Sequence, residues 1–234
     1  MRWLLTSLLI CCGASMARAD DGRIYLSWGA GYGLPGSAAS LARECGDTTR
    51  VDTLYLSFDP GQPCSTFTGM TATVWFRPLD GDSLGPLWQS PGGIALPPGM
   101  KVEFARDSTS AHPFPWAGYG IGFPGYARQS SHLARIRLIW AVGPHDGARV
   151  QPGRLYGLAR ILLRRPAAGA PGCDQPVCVE WNEGTMAYHP TLEPVVSAGM
   201  RFVGINAAGG EFSCSTAPPP KAGSAKTRKA STGR

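Results

Sequence analysis

The chain has 234 residues, with 22 Lys and Arg against 16 Asp and Glu, and its formal charge of +6 would suit a nucleic-acid or anionic-surface binder if it lay on a folded surface. It lies at the ends instead. Residues 1–19 carry Arg2 and Arg18 without an acid, 217–234 carry Lys221, Lys226, Arg228, Lys229 and Arg234 without an acid, and the body between them is left at −1, which excludes a strong pull toward polyphosphate.

Arg2, the apolar run from Trp3 to Cys12 and the closing Ala17-Arg18-Ala19 read as a cleavable secretory leader over residues 1–19. The working protein is then secreted or periplasmic. A lipid anchor at Cys11 or Cys12 would call for small residues where Leu8-Leu9-Ile10 stand. No apolar run approaches the roughly 20 residues of a membrane-spanning helix, so no transmembrane segment is expected.

From Ile24 onward, short apolar or alternating runs are separated by Gly, Pro, Asp and Ser, with 31 Gly and 21 Pro in the chain. That punctuation predicts strands at 24–28, 53–58, 70–77, 100–105, 134–142, 155–164, 177–182 and 201–205. Leu54, Leu56 and Phe58 share one face of the second run, and Ile136, Leu138 and Trp140 alternate with Arg135 and Arg137 in another. Such alternation demands a sheet wet on one side and packed on the other. Run 155–164 is read as a strand with Leu155, Gly157, Ala159, Ile161 and Leu163 on one face, and 37–43 as a single helical connecting turn. Antiparallel strands with one apolar face each must close on a second sheet, so an all-β, two-sheet sandwich is expected over residues 20–216. Residues 217–234 are too polar to offset their chain entropy and read as a disordered basic tail, weakly attracted to anionic surfaces.

Of the 7 Cys, five remain after the leader: Cys45, Cys64, Cys173, Cys178 and Cys214. Exported thiols pair, and a metal site would need a second close ligand pair or His partners, so disulfides are expected and no metal. A tight turn over Asp174 to Val177 predicts a Cys173–Cys178 bridge. Cys45 has Cys64 and Cys214 as possible partners. One thiol is left over, either an inert buried side chain or a link to another exported molecule.

The order of segments resembles cohesin-like β-sandwich modules of exported bacterial proteins. The residues that carry the likeness are Asp52-Thr53-Leu54-Tyr55-Leu56-Ser57-Phe58-Asp59, the Gly69-led strand ending Val74-Trp75-Phe76, the Gly81-to-Trp88 region and the later Gly153-Arg154-Leu155-Tyr156-Gly157 segment. Cohesins bind dockerin modules or related partners through a sheet face, and relatives of the fold bind polysaccharide. The resemblance therefore implies a binding or scaffolding role toward an extracytoplasmic protein, with carbohydrate binding as the alternative. Segment 91–131 and the 173–178 loop exceed the usual module.

Catalytic chemistry is thin. His112, His132, His145 and His189 are dispersed, and no G-x-S-x-G follows a strand. Ser130 and Ser131 beside His132 lack an oriented carboxylate, and Glu180 and Glu183, three apart on a strand, should point to opposite faces, which spoils a glycosidase pair. Gly118-x-Gly120-x-Gly122 has no following helix or Lys, so no nucleotide or other cofactor is expected. An unrecognised extracytoplasmic hydrolase stands third behind the two binding readings. The most unusual local composition places Phe114, Trp116, Tyr119, Phe123 and Tyr126 among Gly and Pro. Rings stack on sugars and anchor protein interfaces, so these five are the candidate ligand-binding residues. An exposed apolar sheet face would favour a protein partner, and coplanar exposed rings a glycan.

Overall fold

The computed structural model describes residues 22–81, 83–90, 95–104, 112–115, 120–189, 191–194, 199–207 and 214; the predicted leader and tail lie outside them. Twelve strands are described: β1 (Arg23–Trp28), β2 (Ser40–Leu41), β3 (Val51–Asp59), β4 (Cys64–Pro78), β5 (Met100–Glu103), β6 (Ile121–Ser130), β7 (Leu133–Ala141), β8 (Ala148–Val150), β9 (Tyr156–Arg164), β10 (Val177–Tyr188), β11 (Thr191–Pro194) and β12 (Phe202–Ile205). A small sheet runs β1-β3-β9-β5, and a large one β2-β12-β10-β4-β7-β6, with β11 on β10 and β8 on β4. All pairings are antiparallel except β2 with β12.

The expected sandwich is what forms. The alternation in β3 turns Leu54, Leu56 and Phe58 inward, and that in β7 turns Ile136, Leu138 and Trp140 toward them. Ile24, Leu26 and Trp28 of β1 extend one wall, and Val74, Phe76, Val179 and Trp181 the other. Trp181 is fully buried, so its truncation to Ala would cost about 3–5 kcal/mol.

Two bulges decide where side chains go. In β9 the pairing slips between Leu56 and Ser57, so that Leu56 faces Ala159 while Ser57 faces Gly157. The core set becomes Tyr156, Leu158, Ala159, Ile161 and Leu163, and Gly157 moves to the outside, contrary to the single face expected for this run. In β10 the slip lies between Trp181 and Glu183, held by the Trp181 indole N–H donating to the Glu183 carbonyl at 3.1 Å.

Segment 37–43 forms no helical turn. Ala38 bridges to Trp28, and β2 then adds in parallel to β12, because backbone pairing at this sheet edge outweighs a weak local helix preference. Strand β6 arises where Gly and Pro suggested a loop. It is an edge strand, where Pro124 is tolerated. Gly122 is required there, because a Cβ would collide with the Phe104 ring and come within 2.6 Å of Trp140.

The expected Cys173–Cys178 bridge does not form. Cys45 pairs with Cys173 and Cys178 with Cys214, leaving Cys64 as the free, half-buried thiol. Cys178 enters β10 with its neighbours fixed by the ladder to β4 and β12, so it cannot fold back on Cys173 across a turn. The two native bridges close chain separations of 128 and 36 residues. On the chain-entropy account they contribute about 5 and about 4 kcal/mol. Peptide mapping without reductant should return the 45–173 and 178–214 links with only Cys64 alkylated. Cys45→Ser/Cys173→Ser should lower the denaturant midpoint more than Cys178→Ser/Cys214→Ser; the reverse order would contradict this assignment.

Candidate binding surface

Because Leu138 and Trp140 point into the core, their β7 neighbours Ile139 and Ala141 point out. The register sets Ile121 of β6 opposite Ala141 and Phe123 opposite Ile139, on the same outer face. Ile121 is 61%, Phe123 60% and Ile139 37% exposed. With Gly120, Val142, Gly143 and Asp146 they line an open depression of about 440 Å³. Single exposed apolar residues are ordinary, but these four are grouped by strand register into one apolar patch. One step along the same face, Arg137 and Arg135 add a cationic flank. Pro124 and the register slip between Arg128 and Ser130 make the free edge of β6 a poor template for strand addition.

The five predicted rings do not form one surface. Phe123 is on the patch. Tyr126 is buried with its hydroxyl donating to the Trp88 carbonyl, and burial pushes its phenol up to about 12. Phe114 is buried on the other side of the sandwich, over Gly157 of β9, where a Cβ would come within 2.6 Å of the ring. Alternation on β6 turns Tyr126 inward opposite Ile136, and the β9 bulge opens the slot that Phe114 fills. Both rings are packed against the protein. Trp116 and Tyr119 lie outside the described residues.

Segment 112–115 straps the outer face of the small sheet. The Pro113 carbonyl accepts the Gly157 N–H at 3.2 Å, and His112 Nδ1 lies 3.1 Å from the buried Ser57 hydroxyl. A serine nucleophile works against Nε2 with a carboxylate on Nδ1, so this pair has the wrong nitrogen engaged and fastens the strap. Ser130, Ser131 and His132 occupy the β6–β7 turn, where Ser130 Oγ accepts the His132 backbone N–H at 3.2 Å.

Glu180 and Glu183 were expected on opposite faces; the bulge at Asn182 puts both outside, Glu180 opposite Trp75 and Glu183 opposite Thr73. Glu180 is buried between Arg77 and Arg201, each 3.5 Å away, and those guanidiniums stack over Trp75 and Phe202. It serves as their counter-ion. Among the described residues no group of three or more His, Cys, Asp or Glu is placed to hold a metal ion.

No family model and no curated protein matches this chain. Among solved structures it is similar to a cohesin module from a family 33 glycoside hydrolase of Clostridium perfringens, at 8% identity and TM-score 0.39, over 80% of this chain and 98% of that one. It is also similar to the second type II cohesin module of the ScaA scaffoldin of Acetivibrio cellulolyticus, at 7% identity and TM-score 0.41, over 81% and 98%. A CBM3 of Hungateiclostridium clariflavum overlaps at 7% identity and TM-score 0.32, over 75% and 97%. The likeness read from the sequence reappears here as a likeness of β-sandwich architecture.

Burial holds the His112 imidazole below its ordinary 6.5. As pH falls, the unfolded chain therefore takes the proton first, and stability present above about 6.5 is lost as pH drops through the folded-state value. The thermal midpoint should fall between pH 7 and pH 5, and His112→Gln should flatten that slope. An unchanged slope in the variant would place the titration elsewhere.

Proposed function

We propose that this chain is a non-catalytic exported module that binds another protein through the outer face of β6 and β7. The observation that carries the reading is the apolar patch of Ile121, Phe123, Ile139 and Ala141 on the outer face of β6 and β7. Burying such a patch against a partner removes apolar surface from water at about 25 cal/mol per Å², and the arginine flank favours an acidic rim. Trp116 and Tyr119 stay candidate contributors through their sequence proximity to Ile121. Polysaccharide binding is the alternative. It would need a second ring coplanar with Phe123, and the described partners of Phe123 on this face are aliphatic.

Secreted or periplasmic placement belongs to the proposal. The two disulfides suit an oxidising compartment, and residues 1–19 read as a leader. The sandwich is assigned to 20–216, and the basic segment 217–234 adds weak attraction to anionic surfaces that salt screens within about 8 Å.

Affinity capture from the source secretome, followed by titration of the purified partner, tests the assignment. Phe123→Asp and Ile139→Asp should each weaken binding by roughly 30-fold or more, the effect of losing a central anchor, while the thermal midpoint stays within a few degrees because both residues are exposed. Undiminished partner binding by both variants would sink the proposal. Depletion on insoluble polysaccharide that depends on Phe123 would replace it with the carbohydrate reading.

A further inference from the structure

The apolar depression on β6 and β7 has unlike ends. Going from Ile139 toward the start of β7, the next outward positions are Arg137 and Arg135, about 7 Å and about 14 Å away at the rise of a strand. At the other end the chain leaves β7, and the 3₁₀ turn Pro144–Asp146 brings an exposed carboxylate, Asp146, to the rim together with Val142 and Gly143. The patch is therefore cationic at one end and anionic at the other, with Ile121, Phe123 and Ile139 between them.

Neither charge is neutralised within the sheet. The described ion pairs of this outer face join Glu180 to Arg77 and Arg201, and none reaches Arg135, Arg137 or Asp146. On β6 the register sets Gly125 opposite Arg137 and Ala127 opposite Arg135, so both arginines have short neighbours on that side, and on β4 they face Thr73 and Trp75. Glu183, in the row of Thr73 and Arg137, lies two strands from that arginine, about 10 Å across the sheet. The apolar strip is itself narrow. It ends at β4, where Thr71 stands opposite Ile139 and Gly69 opposite Ala141. Two strands span about 10 Å, the width of one helical or extended segment and less than that of a second sheet face.

Exposed charges of this kind orient an incoming chain more than they hold it. An apolar anchor alone would seat in either direction, whereas opposite charges at its two ends select one. Resting on the protein-binding reading above, we infer that the partner presents a charge-polarised segment to this strip. A large apolar side chain fills the depression, carboxylates lie on the side of Arg137 and Arg135, and a Lys or Arg lies on the side of Asp146. A uniformly acidic segment would meet Asp146 with like charge, and a uniformly basic one would meet both arginines.

Titrating the full mature chain with three labelled synthetic peptides that share a leucine-rich centre tests the inference by fluorescence anisotropy. One carries glutamates at one end and a lysine at the other, one glutamates at both ends, and one lysines at both ends. The polarised peptide should bind saturably, roughly tenfold more tightly than the lysine-ended one and roughly threefold more tightly than the glutamate-ended one, the scale of a few exposed ion pairs. Both gaps should narrow as salt rises. Arg137→Glu should remove the advantage over the lysine-ended peptide, and Asp146→Asn the advantage over the glutamate-ended one, with the thermal midpoint little changed because both residues are exposed. Phe123→Asp separates the two levels of failure. If it binds the peptides as well as the parent chain does, the face itself is misassigned. If it abolishes binding while the three peptides rank equally, or keep their ranking in Arg137→Glu and Asp146→Asn, the face stands and the polarised partner is wrong. Binding by none of the peptides, or a dimer of the chain in sedimentation that Phe123→Asp dissolves, would overturn the inference as well.

Discussion

Every strand of a sandwich must keep an unbroken apolar face toward the other sheet, and that parity is the constraint on which the rest of this molecule depends. Side chains alternate with a period of two, so one extra residue in a strand would swing all that follow to the wrong side. The chain meets the constraint with bulges. In β10 the slip beside Asn182 lets both Trp181 and Met186 reach the core, and in β9 the slip at Leu158 lets Tyr156 and Ala159 both face it. Each correction has an outward consequence. The first brings Glu183 to the same face as Glu180, and the second turns Gly157 outward, where the missing side chain makes room for Phe114.

The outer faces are treated unequally. On the small sheet, residues 112–115 lie over the outer face of β3 and β9, tied down by Ser57 and the Gly157 N–H. Both disulfides cluster at the β2-β12-β10 side of the large sheet: Cys178 lies in β10, and Cys173 immediately precedes that strand. The opposite side, β7 and β6, carries neither a described covering segment nor a described cross-link, and there the apolar residues are exposed.

Charged side chains do structural work at two places. Glu180 neutralises Arg77 and Arg201 on the large sheet's outer face, where stacking on Trp75 and Phe202 shields the guanidinium planes. Asp52 on β3 anchors Arg165 just beyond β9, tying a sheet end to the Arg43 loop. Arg165 is raised above its ordinary value chiefly by its hydrogen bond to Asp52, whereas burial lowers Arg43 against the opposing pull of that same carboxylate. The two arginines thus divide one counter-ion unequally.

The sequence by itself determined the fold class, because period-two alternation is local: Leu54, Leu56 and Phe58 or Ile136, Leu138 and Trp140 point inward whatever their neighbours are. The near-neutral body and the scarcity of catalytic spacing were equally plain in the residues. Cysteine pairing was not, since it depends on which strands come to lie side by side: Cys45 meets Cys173 across 128 residues, while five residues from Cys173 to Cys178 prove too few. Strand β6 was hidden by its Gly and Pro, which read as loop until an edge position makes them tolerable. Exposure was hidden as well. Phe114, Phe123 and Tyr126 sit among similar neighbours, yet strand parity buries Tyr126, a bulge in a distant strand houses Phe114, and only Phe123 is left facing water, because burial is a property of what packs on a side chain and not of the residue itself.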